Sequence, residues 1–183
     1  MSLPKSAKMV FKGPIFEVYQ RQQKMFDWTF EIFEKIKRAD TVIVLAAYKG
    51  KMVICKQMQP DRKSPSLSLP GWRIDPGEKP LHAAKRELLE ETWMKAKKMK
   101  LRKIYVPFHK IIWTTYVYIA QWCQIVSSQN LDHGEQIDVS LISFEKFLKC
   151  LENGKFYFSL METDVLKMEK YGKLDTFKKL LFA

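Results

Sequence analysis

Glu87, Glu90 and Glu91 fall within five residues of a run of good helix formers that opens at Pro80, a residue suited to a first helical turn. On a helix running to at least Thr92 they stand at i, i+3 and i+4 and share one face. Leu81, Ala84 and Leu88 mark a neighbouring apolar face for docking to a sheet. Three like charges this close repel, and Lys85 and Arg86 offset only part of that. Two readings follow. One is a solvated acidic face with pairs such as Arg86 with Glu90. The other is a site for a hard cation, since Mg²⁺ favours carboxylate oxygens and completes its shell with water and phosphate.

The contrast with the rest of the chain sharpens the question. Gly71 to Trp93 holds five acids, Asp75, Glu78, Glu87, Glu90 and Glu91, in a chain of net charge +12. Such a balance attracts anionic substrates or nucleic acid. Part of it is local. "KAKKMKLRK" (Lys95 to Lys103) is either a solvated surface segment or a phosphate-steering patch. With 183 residues, 46% of them hydrophobic, one globular unit with a real core is expected and disorder is not. "VIVLAAY" is too short to span a bilayer, and the N-terminus lacks the apolar centre of a signal peptide. Cys55, Cys123 and Cys150 show no CxxC spacing. They read as reduced, buried thiols, and the protein as cytoplasmic.

The order of elements is mostly strands, one helix, more strands, then helices. "IFEVYQRQQ" and "WTFEIFEKI" alternate as strands do, with a turn at Lys24 to Asp27. "TVIVLAAYKGKMVICKQM" reads as a hairpin turning near Lys49-Gly50, its first arm apolar enough for a central strand. Gln59 to Gly71 reads as a loop. "LRKIYVPF" and "IIWTTYVYIAQWCQIV" are strand-like, and "SSQNLDHGEQID" is a polar connection. Ser143 looks like the N-cap of a helix to about Glu152, ended by Asn153-Gly154. Helices over about Glu162 to Tyr171 and Asp175 to Phe182 close the chain. This predicts a mixed α+β or α/β sandwich.

The spacing of the charged residues resembles the signature of the Nudix hydrolases, G-x5-E-x7-R-E-U-x-E-E-x-G-U with U aliphatic. Glu78 is followed by seven residues and then "RELLEE", so every charged position is filled in register, and Met94 fills the last U. "LSLPGWRIDPGE" is similar to "LELPAGLIDPGE" of the ADP-ribose and nucleoside diphosphate sugar pyrophosphatase branch. The resemblance covers about Phe16 to Phe156 and is strongest at the box. It implies an α/β/α sandwich with a mixed central sheet and an N-terminal antiparallel strand pair. It also implies a single unit, 1–183, in which about 1–38 serve a homodimer and about 39–183 form the catalytic core.

Roles implied by the resemblance fall on matching positions. Glu87 and Glu91 match metal ligands, and Glu90 a further ligand or a base acting on water. Arg86 and Glu78 match the pair that ties loop to helix and orients the glutamates. The backbone at Gly71 matches a metal contact. Glu135 matches a late glutamate serving as base or ligand, against the plainer reading of a loop acid. The implied cofactor is Mg²⁺, with Mn²⁺ as substitute. The implied substrate is a nucleoside diphosphate sugar such as ADP-ribose, cleaved to a nucleoside monophosphate and a sugar phosphate.

Several positions depart from the family pattern. Both signature glycines are tryptophans, Trp72 and Trp93. At Trp93 either the residue adopts a left-handed cap at a cost of about 1 kcal/mol, or the helix runs on. Gln59 replaces an Arg of the branch at a substrate-binding position, and Ser68 replaces a Glu. Trp28 and Phe26 are the candidates for stacking on the substrate base, although alternating aromatics in strands more often serve core or interface. His82, His109 and His133 show no ligand spacing. The rival readings are a nucleotide- or RNA-binding module of weak activity and a hydrolase of nucleoside triphosphates or dinucleoside polyphosphates. A nucleic-acid partner is not favoured.

Overall fold

The computed structural model describes residues 3–60, 62–126, 136–156 and 160–182. β4 (Thr41–Tyr48) is the centre of the molecule. Its run of β-branched and small apolar residues is buried on both faces, as an interior strand requires. Val42, Val44 and Ala46 point to one layer, and Leu45, with Ile43 beside it, to the other. β4 turns into β5 (Lys51–Met58) through Lys49 and Gly50, both at positive φ, the conformation a tight hairpin needs. β4 also pairs in parallel with β9 (Thr115–Ile125), which pairs antiparallel with β7 (Met94–Tyr105). With β10 (Gln136–Ile142) on the far side of β5, the sheet order is β10-β5-β4-β9-β7.

Among the described residues, one helix covers one face and three cover the other. α1 (Pro80–Thr92) buries Ala83, Ala84 and Leu88 against Val42, Val44 and Tyr118. α2 (Phe144–Glu152), α3 (Glu162–Lys170) and α4 (Leu174–Phe182) pack Phe147, Leu151, Val165 and Phe177 against Leu45, Ile54 and Ile119. This is the α/β/α sandwich expected. Ser143 does cap α2, accepting from the Lys146 N–H at 3.1 Å.

The N-terminal strands form a second sheet. β2 (Glu17–Lys24) and β3 (Phe30–Lys37) are the expected antiparallel pair. β1 (Lys8–Lys12) adds to β2, and β8 (Ile111–Ile112) joins β3 in parallel. β1 escaped the sequence reading because its five residues are all exposed and carry no buried alternation. "KAKKMKLRK" is most of the edge strand β7. Its exposed lysines blunt an edge that could otherwise pair with another chain.

The β4–β5 hairpin splays open beyond its turn, with only Ala47↔Met52 and Tyr48↔Lys51 in register. The segment expected to be a plain loop fills the opening. β6 (Ser66–Ser68) pairs with β5, and the chain then crosses to β4. There the Val44 N–H donates to the Pro70 carbonyl at 2.7 Å and the Val42 N–H to the Trp72 carbonyl at 2.8 Å. Gly71 is thereby pressed against β4. Its φ is 132°, and a Cβ on it would lie 2.3 Å from the Val42 carbonyl oxygen. Only glycine fits this approach.

Candidate active site

α1 ends beside that wedge. Trp93 takes φ 52° and ψ 21°, the left-handed cap that glycine usually supplies, and its N–H bonds the Leu89 carbonyl. The helix therefore stops on schedule and β7 starts at Met94. Of the two conformations open to Trp93, the structure adopts the strained one.

The stop fixes which way the glutamates point. Glu87 and Glu91 are 6% and 2% exposed, which is unusual for carboxylates and demands compensation. Glu91 Oε2 accepts the Gly71 N–H at 3.1 Å and the Cys55 thiol at 3.6 Å. The wedge and β5 thus grip the carboxylate from two sides. Sequence reasoning missed Cys55. Its only signal was its place in a strand apolar on successive residues, which marks burial but not a partner.

Arg86 is the hub of the other carboxylates. Its Nε and Nη2 reach the two Glu78 oxygens at 3.1 and 3.0 Å, a bidentate pair. Nη1 donates to Glu87 at 2.7 Å and to Glu90 at 2.9 Å, and Nη2 also reaches the Arg73 carbonyl at 3.0 Å. Glu78 accepts the Asp75 N–H as well, at 3.2 Å. Loop and helix are therefore tied through Arg86 and Glu78. The bond to Glu78, with the charges of Glu87 and Glu90, holds the Arg86 guanidinium firmly protonated.

In return the Arg86 guanidinium keeps the Glu78 carboxyl below its ordinary value of 4.5. Because that pKa is depressed by folding, the stabilisation is complete above pH 4.5. It is lost as pH falls through the lower folded value. The stability difference between wild type and Glu78→Gln should accordingly close as pH is lowered through that range. Urea unfolding at stepped pH checks this, and a difference independent of pH would contradict it.

The donor set suits a hard divalent cation, with carboxylate oxygens from one helix face and two of the three carboxylates buried. Among the described residues, no three His, Cys, Asp or Glu side chains converge on one point as they stand. Glu87 and Glu90 are drawn instead onto Arg86. Glu135 lies outside the described residues.

The remaining sequence candidates lie on other segments of the chain. Trp28 and Phe26 occupy the β2–β3 turn and are 75% and 104% exposed. Gln59 follows β5, its carbonyl accepting the Arg62 N–H at 3.0 Å. Next to Gly71 on the wedge opens a cavity of about 280 Å³. Its walls include Arg38, Gln57, Trp72 and Trp113, with Leu151 and Phe156 from the α2 side. Arg38 and Trp113 carried no motif, and the parallel pairings of β3 with β8 and of β4 with β9 bring them together.

The NUDIX domain matches residues 36–161. The chain is 26% identical over 153 residues to the ADP-ribose pyrophosphatase of Bacillus subtilis, an alignment covering 82% of this chain and 83% of that protein. Its fold is similar to that of a crystal structure of an ADP compounds hydrolase. That likeness has a TM-score of 0.73 at 18% identity and covers 92% of this chain and 95% of the other.

Proposed function

The chain belongs to the Nudix family, and from that premise we propose that it hydrolyses a nucleoside diphosphate sugar of the ADP-ribose type to a nucleoside monophosphate and a sugar phosphate. The observation that carries this reading is the Arg86 hub, which binds Glu78, Glu87 and Glu90 while Gly71 and Cys55 hold Glu91. The likeness to the Bacillus subtilis ADP-ribose pyrophosphatase supports the substrate class.

Members of this family generally use divalent metals. Here Glu87, Glu91 and Glu90, with the Gly71 backbone, would hold Mg²⁺, or Mn²⁺ in its place. A bound cation of this kind neutralises diphosphate charge and acidifies water. The protein's own part is positioning. Arg86 and Glu78 lock the loop to the helix and orient the carboxylates. Water attacks one phosphorus, the bridging P–O bond breaks, and Glu90 or Glu135 takes the water's proton. The basic surface draws the anion in.

The left-handed Trp93 bears on the rival reading of a weakly active binding module. It reproduces the cap a glycine would give, so the substitution leaves the end of α1 intact.

We further assign the N-terminal sheet, about 1–38, to a homodimer interface beside a catalytic core of about 39–183, in the cytoplasm. Phe11, Phe30 and Ile32 lie exposed on that sheet, with Phe16 exposed just before β2, an apolar surface that a monomer rarely leaves open. Sedimentation equilibrium should return twice the 21.7 kDa chain mass, and a monomer would refute the interface. Among the described residues no helix is long and apolar enough to cross a membrane.

A panel of nucleoside diphosphate sugars, nucleoside triphosphates and dinucleoside polyphosphates, with Mg²⁺ or Mn²⁺, tests the reaction. ADP-ribose should be cleaved fastest. Nucleotide binding without turnover of any member would sink the hydrolase reading.

A further inference from the structure

Trp122 interrupts β9 in a way a strand residue rarely does. Its φ is 54°, left-handed, in the body of the strand. The reason lies in its neighbours. Gln121 faces α4, where its amide donates to the Leu180 carbonyl at 2.8 Å. Cys123, two residues on, packs in the layer of α1. Residues two apart in a regular strand share a face, so the chain must turn over between them, and the left-handed residue turns it. Glycine reaches that conformation freely, whereas tryptophan gives up about 1 kcal/mol. Nor does the indole serve the core, since Trp122 is 52% exposed and belongs to neither apolar cluster.

The strand beside it is basic. Lys98 pairs with Gln121 and Lys100 with Ile119, which puts both lysines on the sheet face that α4 covers, opposite α1 and its glutamates. Farther along, the Arg102 guanidinium lies over the Phe177 ring of α4, 5.9 Å from its centroid. Lys97 falls opposite Trp122, between the Ala96↔Cys123 and Lys98↔Gln121 pairs, and the Lys98 ammonium lies 5.8 Å from the centroid of the Trp122 ring. All four cations are exposed. Lys103 is bound to Asp164, but among the described residues no carboxylate pairs with Lys97, Lys98 or Lys100. An exposed indole therefore stands inside a row of uncompensated positive charge.

We infer that Trp122 and residues 97–102 of β7 form a binding surface for single-stranded nucleic acid, with a base stacked on the indole and phosphates along the lysines. A single strand offers both complements at once, a line of phosphates and open base faces. A duplex hides its base faces in the stack, and an anionic lipid surface offers charge without rings. Charge alone did not favour a nucleic acid in the sequence, because charge has no preference for a base. The strained, exposed ring within the charge supplies that preference.

The test is the fluorescence anisotropy of a short labelled oligothymidylate, with EDTA to keep divalent cations from the carboxylates. An abasic chain of equal length carries the same phosphates without the bases. Wild type should bind the oligothymidylate about tenfold more tightly than the abasic chain, the gain typical of one stacked base. Trp122→Gly, which suits the positive φ, should bring the two affinities together, and Trp122→Phe should keep part of the difference. Replacing Lys97, Lys98 and Lys100 together by Gln should weaken both chains alike. It should also lessen the slope of log affinity against log salt by about two. Removing two exposed charges from α2 instead, with Lys146→Gln and Lys149→Gln, should leave both affinities within a few-fold of wild type. Circular dichroism confirms that each variant folds, and the comparison of the two chains on wild type needs no variant. Absence of binding, equal affinity of wild type for the two chains, or unchanged binding by Trp122→Gly or by the triple lysine variant overturns the inference. So does displacement of the oligothymidylate, at equal anionic charge, by vesicles of phosphatidylserine and phosphatidylcholine in equal parts, which would assign the surface to a membrane.

Discussion

Gly71→Ala should destabilise the protein by about 3 kcal/mol or more, combining a left-handed backbone with overpacking. The steric reason is specific. The added methyl would meet the Val42 carbonyl oxygen at 2.3 Å and the Val42 carbonyl carbon at 2.9 Å, both backbone atoms of the central strand. Neither can yield without moving β4, which is buried on both faces. If the wedge moves instead, the Gly71 N–H leaves Glu91, and activity should fall even in molecules that remain folded. Gly77→Ala supplies the comparison. Gly77 also has positive φ, 80°, but nothing lies within 4 Å of its added Cβ. It should cost about 1 kcal/mol, the backbone strain alone. Urea unfolding of the two variants checks the difference, and equal costs would show that the wedge is not closely packed on β4.

Glu91→Gln should leave the fold intact and remove the activity. The amide keeps the size of the side chain and an oxygen for the Gly71 N–H, so the buried position stays filled. It also removes a charge that is 2% exposed and costly to bury. The thermal midpoint should therefore hold or rise. Turnover should fall by more than the roughly 10–100-fold typical of losing an outer-shell partner, because this carboxylate is assigned to the cation itself. KM should change less than kcat. Turnover near the wild-type level would displace Glu91 from the site.

Local spacing explains what was legible in advance. The helix from Pro80, its Ser143-capped successor and the Lys49-Gly50 hairpin each depend on residues close in sequence. The loop-to-helix pairing of Glu78 with Arg86 spans eight positions and was implied by the family resemblance. What stayed hidden depends on contacts between distant segments. The Gln59 to Gly71 loop could not be known to split the β4–β5 hairpin, since proline and serine mark only the absence of a regular element. β10 was hidden because its exposed polar residues merge with the polar connection before it. Trp93 was ambiguous for a different reason. Propensity opposes a left-handed tryptophan, and tertiary context overrides it. β7 must begin at Met94 to pair with Ile125, and the Val126 N–H bonds the Trp93 carbonyl at 2.9 Å.

The most direct test of the central claim is the fate of solvent oxygen. ADP-ribose is incubated with the protein and a divalent cation in ¹⁸O-labelled water, and the products are read by ³¹P spectroscopy and mass. The account predicts AMP and ribose 5-phosphate in equal amounts, with one solvent oxygen on the phosphorus of one of them. Release of ADP and free ribose, or bound and unchanged ADP-ribose, would contradict it.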